Sequence, residues 1–423
     1  MNPADCNLTI RCRTILPMSS APITGGWLCI KRGKIFSIGR HQAPSHAIDL
    51  GDVIILPGLI NAHTHLEFSD YKKPIDPSGG LVSWIEKLVH HRRQRHEQDP
   101  DQTSVLLAIQ KGLHESAQFG VTTIGEISTT PPSTMYDARG PRVRIYHEGL
   151  GLSSRTIHEA STRLHKQFPS HVQTHGLHGL SPHAPYSVTR TLGKIMTSVA
   201  HRHCLPLAMH IAESLDEVDL LTDRTGSFRT LLESLGAWPS DTPPMLLQQA
   251  EWISLLAKAP RAMIVHGTFL PRDRDAMARL TRHRNQLAIT ICPRTTLALS
   301  GEYPPLVAFR DAGLQVALGT DSRASNPDLS ILSECRALVD SGMVSPLQSV
   351  LMATRNGAWA LMLDRHCGSL TCGRNADLTI VQPVSKYTDP FEAVLDPRTQ
   401  IIGTMKSGRW IYGGIETQHC GSV

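Results

Sequence analysis

The sequence predicts an α/β protein: a (β/α)8 TIM barrel with a small β-sandwich domain built from both chain termini. Three observations predict it. Short apolar runs alternate with longer helical patterns through the middle of the chain. Both ends carry short strand-like runs separated by glycine turns. Histidines and carboxylates recur where the apolar runs stop, and in a barrel those stops form the catalytic face.

In chain order, Leu8–Ile10, Gly26–Ile30 and Lys34–Gly39 predict a small antiparallel sheet with turns at Lys31-Arg32-Gly33 and Gly39-Arg40. The apolar run Val53–Leu56 then meets Pro57-Gly58, and the rhythm changes. The expected barrel strands are Leu59–Ala62, Val121–Gly125, Val143–His147, Leu177–Ser181, Leu207–Ile211, Ala262–His266, Leu287–Ile291 and Gln315–Gly319. Helices lie between most of them, such as Ser104–Phe119, closed by Gly120, and Asp328–Val339. A helical tail, Pro346–Leu363, leads into Gly368-Ser369-Leu370 and the runs Asp377–Val381, Ile401–Met405 and Arg409–Gly413. The expected division is residues 1–57 with 366–423 as a composite β domain, and 58–365 as the barrel. No internal repeat or low-complexity linker is visible.

At 423 residues the chain can bury a sizeable core. Hydrophobic content of 40% and charged content of 19% suit a globular enzyme rather than a disordered chain. The net charge of +5 is small for this length and gives no basis for a nucleic-acid or membrane surface. The basic run His90–His96 follows an apolar helical pattern, so it is expected to be a solvated helix end. Nine scattered cysteines form no C-x-x-C pair, which argues against a disulfide framework or thiolate zinc site. They favour a reducing, cytoplasmic compartment. No signal peptide or membrane span is expected. A homodimer is a candidate assembly.

The stretch Pro57-Gly58-Leu59-Ile60-Asn61-Ala62-His63-Thr64-His65 organises the chain. Alternate residues of an extended strand share a side, so His63 and His65 can reach one ion together. His183 follows the fourth strand, His210 and Glu213 end the fifth, His266 the sixth and Asp321 the eighth. Neutral imidazoles with one carboxylate suit a borderline divalent ion, with zinc expected and iron or manganese as alternatives. An ion held by three histidines and one aspartate keeps room for a water and lowers its pKa toward ~7. Glu213, three residues past His210, is placed to shuttle a proton, and Asp321 could hydrogen-bond the same water. No lysine ends the fourth strand, so one ion per chain is expected.

These motifs, with Ser181-Pro182-His183-Ala184-Pro185-Tyr186-Ser187, His210-Ile211-Ala212-Glu213, Val265-His266-Gly267 and Leu318–Asn326, resemble the amidohydrolase superfamily. The closing Gly368-Ser369-Leu370 and Gly373–Leu378 segments fit as well. The resemblance is to the metal-dependent branch of aromatic-heterocycle deaminases and chlorohydrolases, over nearly the whole chain. It implies His63, His65, His210 and Asp321 as metal ligands and Glu213 as proton shuttle. It also implies that His266 orients the catalytic water and His183 contacts the heterocycle. The runs His63–Ser69 and Thr122–Ser128 are similar to aminodeoxyfutalosine deaminases, which act on an adenine nucleoside in an alternative menaquinone pathway. Deaminases of S-adenosylhomocysteine or methylthioadenosine share the core motifs.

Other residues are candidates for substrate contact, each beside a structural alternative. Glu67 shares the ligands' face or supports them from behind. Trp84 forms a lid or packs in the core. Glu126 and Glu148 bind ribose or pair with a cation. Arg294 meets an anionic substrate group or makes a salt bridge. Arg323 would alter substrate preference if it points inward. Asn326 and Asp328 order the loop after Asp321 or cap the next helix. His175 and His178 are given no role. The leading expectation is a hydrolytic deaminase of an adenine-type nucleoside. The alternatives are a hydrolase of another aminated or halogenated heterocycle (triazine, pyrimidine or guanine) or of a cyclic amide, and a non-catalytic scaffold retaining the fold.

Overall fold

A computed structural model gives the architecture and describes residues 7–129, 136, 139–169, 176–240 and 244–414. His175 lies outside the described residues. Five N-terminal strands, β1 (Asn7–Ile15), β2 (Ile23–Lys31), β3 (Lys34–Arg40), β4 (Ile48–Asp49) and β5 (Ile54–Pro57), precede the barrel. Its strands are β6 (Leu59–Thr64), β7 (Val121–Ser128), β8 (Arg142–Gly149), β9 (His178–Pro182), β10 (Leu207–Ile211), β11 (Ala262–His266), β12 (Leu287–Ile291) and β13 (Gln315–Leu318). The chain then forms β14 (Leu378–Gln382), β15 (Gln400–Lys406) and β16 (Arg409–Gly413).

Strands β6 to β13 pair in sequence order, and each of their ladders is parallel. Helices lie between most of these strands, an arrangement that buries a parallel sheet on both faces. Ala208, Met263, Ala288 and Ala317 face an inner cluster with Tyr146 and Ile60. Small and large side chains thus fill the bore, while outward residues such as Met209, Ile264 and Ile289 pack under the helices.

The seam between β13 and β6 is closed by the motif residues themselves. Asn61 Nδ2 donates to Thr320 Oγ1 at 2.7 Å, and Thr320 N donates to Asn61 Oδ1 at 3.1 Å. Thr64 Oγ1 and the backbone N–H of His65 both donate to the Asp321 carbonyl, at 2.5 and 3.2 Å. Gly319 permits the approach, because a Cβ there would stand 2.7 Å from the His63 carbonyl oxygen. Closing the barrel therefore brings the His63/His65 strand against Asp321.

The second sheet runs β16-β15-β14-β5-β1-β2-β3, with β4 also on β1. β3 and the turn before it meet the segment that leads into β14, Ile35 N donating to the Arg374 carbonyl and Ala376 N to that of Gly33. Ile10, Leu28, Ile30, Ile55, Leu378 and Met405 are buried between the layers. The expected antiparallel sheet is in fact mixed. β1 pairs parallel with β4 and β5, because the chain returns over the sheet between β3 and β5 instead of turning straight back.

The helical tail is also interrupted. Helix Pro346–Leu351 passes through a π-helical turn, Met352–Asn356, before Gly357–Ala360. Asn356 Nδ2 donates to the Val316 carbonyl at the base of β13, and Gly357 lies so close to Ile60 that a Cβ would meet it at 2.9 Å. Tertiary contact with the barrel outweighs the regular helical ladder there. Among the described residues no helix is long and apolar enough to cross a membrane.

Candidate active site

The polar residues converge where the strands end. His63 Nε2 and His210 Nε2 are 3.3 Å apart. Asp321 Oδ1 lies 3.5 Å from His63 Nε2 and 3.6 Å from His65 Nε2. The donor atoms of His63, His210 and His266 also fall within one ion's reach. A zinc tetrahedron with Zn–N of about 2.0–2.1 Å places its donors roughly 3.4 Å apart, close to these spacings.

The protonation chemistry fits a cation as well. Burial holds the His63 and His65 imidazoles well below their ordinary pKa, and lowers His210 too. His210 Nδ1 donates to the His183 carbonyl at 3.0 Å, which leaves its Nε2 lone pair facing His63. His63 Nδ1 is buried without a hydrogen-bond partner among the described residues. Neutral rings pointing lone pairs at one another beside a carboxylate make a cluster that a divalent ion would satisfy.

The backbone is bent to build this centre. Ala212, His266 and Asp321 adopt φ of 55°, 65° and 56°, although none is glycine. Each sits just where a strand stops, and left-handed backbone at such positions costs on the order of 1–3 kcal/mol. The surroundings hold it in place. Glu217, fully buried, accepts from the N–H groups of Ala212 at 2.8 Å and Glu213 at 3.2 Å. Ser325 Oγ donates to Asp321 Oδ2 at 2.6 Å, and Asn326 Nδ2 donates to the Thr320 carbonyl at 2.9 Å.

Glu213 Oε1 lies 3.4 Å from His266 Nε2. Burial, then the charges of Asp321 and Glu217, push the Glu213 carboxyl well above the usual carboxylate range. Burial pushes His266 down to about 3 and His183 to about 4. His183 Nδ1 is 2.6 Å from Ser187 Oγ, which fixes the ring's orientation.

A cavity of about 350 Å³ opens above the cluster, within the range of small-molecule sites. Its floor includes His65, His183, His210, Glu213, His266 and Asp321. Its walls are apolar. Trp84 and Leu88, from the helix Gly80–Gln98, face Leu231 and Leu232 of the helix Ser227–Ser234, with Trp238 beyond. Trp84 Nε1 donates to the Ala324 carbonyl at 3.3 Å, so its indole is both cavity wall and packed core.

The remaining candidates separate. Glu148 lines the cavity with Oε1 buried and without a hydrogen-bond partner among the described residues, close to His183 and His210. Burial raises its carboxyl to about 7. Glu126 and Glu67 do not line this cavity. Glu126 accepts from the Leu66 N–H with both oxygens, at 3.1 and 3.0 Å, and so anchors the turn after His65. Glu67 turns away toward Arg95 Nη2, at 3.2 Å, because a 3-10 turn, Leu66–Phe68, ends the extended strand that would have kept it on the ligands' face.

Arg294 is also displaced from the cavity. Its Nε donates to buried Glu334 at 2.7 Å and its Nη2 to Asp328 at 2.6 Å, so its donors are engaged within the fold. Arg323 reaches outward to the Tyr71 carbonyl and Glu115. Asp328 pairs with Arg294, while Ser330 caps the helix Ile331–Asp340. His178 meets His147 at 3.0 Å, away from the cavity.

Sequence reasoning missed Ser325, Ser187 and Glu217. Ser187 and Ser325 stand inside motifs named above but were given no role, and Glu217 is the acid of a Ser-x-x-Glu helix start that also reaches back to the preceding turn.

Residues 54–411 match the model of the amidohydrolase family. A 5-methylthioadenosine/S-adenosylhomocysteine deaminase of Moorella thermoacetica is 28% identical over 388 residues, 87% of this chain and 84% of that one. An aminodeoxyfutalosine deaminase of Deinococcus radiodurans is 30% identical over 314 residues, covering 70% of each. The crystal structure of Helicobacter pylori aminofutalosine deaminase in complex with methylthio-coformycin superposes with a TM-score of 0.80 at 23% identity, over 95% of this chain and 99% of that one. The chain belongs to the amidohydrolase family and is a hydrolase acting on carbon–nitrogen bonds.

Proposed function

We propose that the protein is a metal-dependent hydrolytic deaminase that replaces the exocyclic amino group of an adenine-type nucleoside with oxygen. The observation that carries this reading is the convergence of His63, His65, His210 and Asp321 beneath a slot walled by aromatic and aliphatic side chains. Relatives named for deamination of adenine nucleosides support it.

His63, His65, His210 and Asp321 would hold one divalent ion, zinc by the chemistry of the donors, and the ion when bound would make water acidic enough to react near neutrality. Glu213 accepts a proton from that water and delivers it to the ring nitrogen beside the amino-bearing carbon. His266, 3.4 Å from Glu213, holds the water in line with that carboxylate. Asp321 keeps its free oxygen engaged by Ser325 and so presents one fixed edge to the centre. The water oxygen adds to the amino-bearing carbon, and Glu213, having given up its first proton, takes the second from the added hydroxyl and passes it to the amine, so the C=O bond forms as the C–N bond breaks and ammonia leaves. His183, oriented by Ser187, meets the heterocycle, and Glu148 offers its unpaired oxygen to a substrate hydroxyl. Trp84 stacks over the base and excludes water.

Aminodeoxyfutalosine is the substrate to test first, beside adenosine, S-adenosylhomocysteine and methylthioadenosine. Zinc-loaded protein is mixed with each, and ammonia release is followed together with loss of adenine absorbance. The reading predicts both signals in equal amount with at least one compound, and their loss in Glu213→Ala. Metal-loaded protein that turns over none of the four would overturn it.

A further inference from the structure

A second cavity, of about 530 Å³, lies beside the first. The two share a wall, since Val89 and Arg92 of the helix Gly80–Gln98 line both. The second cavity gathers four guanidinium groups, from Arg92, Arg93, Arg95 and Arg163. Its two carboxylates, Glu67 and Asp99, are already engaged. Glu67 is buried and accepts from Arg95 and Thr129. Asp99 accepts from the backbone N–H and hydroxyl of Ser104. Arg163 is exposed and has no ion-pair partner among the described residues. Among the residues that line this concave, solvent-open site positive charge is therefore in excess by two, with Asp70 just outside it at 3.8 Å from Arg95.

Arg92 connects this charge to the reaction cavity. Its Nη2 donates to Thr129 Oγ1 at 2.9 Å and stays 3.7 Å from Glu67, whose closer partner is Arg95. Arg92 also lines the reaction cavity together with Glu148 and His183. A cation that borders both cavities draws an anion toward the arginine cluster.

We propose that the second cavity is an anion-binding site that receives a carboxylate or phosphate carried on the substrate's arm, with Arg92 at its threshold. The assignment rests on the deaminase reading of the first cavity for the identity of the substrate, but the site itself depends only on the arginines. Planar guanidinium groups match the two oxygens of a carboxylate or phosphate better than they match a neutral group.

The test uses two adenosine 5′-thioethers of equal length, one ending in a methyl group and one in a carboxylate. For zinc-loaded protein both kcat/KM and the calorimetric Kd are measured. The carboxylate compound should be preferred by about tenfold or more, since charge-assisted pairing contributes on that order. The preference should reside in KM and Kd and shrink as KCl rises from about 50 to about 500 mM. In Arg163→Gln, whose side chain is exposed, and in Arg92→Gln, the ratio of the two compounds should fall toward one.

Equal values for the two compounds, or a preference that survives in both variants, would overturn the proposal. If neither compound nor adenosine is turned over, the deaminase reading falls, while the calorimetric ratio still decides the anion site. Inorganic phosphate separates the two sources of anion. Phosphate that competes only with the carboxylate compound supports the substrate arm. Phosphate that activates the neutral compound, with no carboxylate preference, assigns the site to a free anion and overturns the arm.

Discussion

Ser325 touches neither the cavity nor, in the proposed arrangement, the metal, yet Ser325→Ala is expected to weaken the centre. Its hydroxyl donates to Asp321 Oδ2 at 2.6 Å, inside a buried group that includes Thr295 and Ser322. The Asp321 backbone, at φ of 56°, is held by its N–H on the His63 carbonyl and by the Thr64 and His65 donors on its own carbonyl, while Ser325 donates to the carboxylate itself. A hydrogen bond to a charged group contributes about 1.5–3 kcal/mol. Partners that orient metal ligands typically change affinity or activity by about 10- to 100-fold. Ser325→Ala should therefore raise the zinc dissociation constant about 10- to 100-fold, read by competition with a chromophoric chelator. kcat/KM at fixed free zinc should fall by a similar factor. The thermal midpoint of the metal-free protein separates this from a folding defect and should move by only a few degrees. Wild-type zinc affinity and turnover in Ser325→Ala would refute the claim that the loop from Ser322 to Asn326 positions the Asp321 ligand.

Glu217 links the same rim to pH. Burial raises its carboxyl from 4.5 to about 7 despite the two backbone N–H groups it accepts. Between those values the folded state binds more protons than the unfolded one, so the stability present below pH 4.5 is lost as the pH rises through about 7. The loss is on the order of 3 kcal/mol. Denaturant unfolding of metal-free wild type and Glu217→Gln at pH 5 and pH 7.5 should show it as a change in the difference between the two proteins, because the buried neutral histidines titrate alike in both. Arg294→Ala should cost about 3–5 kcal/mol, because it leaves fully buried Glu334 without its cation. It should leave unchanged the ratio between the carboxylated and neutral nucleosides. An altered ratio would return Arg294 to the substrate path.

The barrel was legible because its signals are local. Each strand is a short apolar run that ends at a polar residue, and all eight appear at or within a few residues of the expected bounds. The His-x-His spacing and the polar strand ends foretold which side chains the barrel would gather, since its C-terminal face collects whatever follows each strand. Glu67, Glu126 and Arg294 were less legible. Their positions depend on how loops turn after the strand stops, and on a partner far away in sequence, such as Glu334 for Arg294. Ser325 and Ser187 lie in motifs but their roles were not legible, because a serine hydroxyl gains its meaning only from the partner that folding places beside it. The mixed character of the terminal sheet was hidden for the same reason. A parallel pair such as β1 and β5 has no turn signature between its strands.

The central claim is that water replaces an amino group at this centre, with Glu213 moving the proton. Its most direct test is the reaction in 18O-labelled water, with zinc-loaded protein and the nucleoside that reacts fastest. Mass spectrometry of the product base and measurement of ammonia are made on the same sample. The account predicts one solvent-derived oxygen in each product molecule, one ammonia released with it, and a fall of at least about 100-fold in both for Glu213→Gln with its zinc retained. Product that forms without solvent oxygen, or at the wild-type rate in Glu213→Gln, would contradict it.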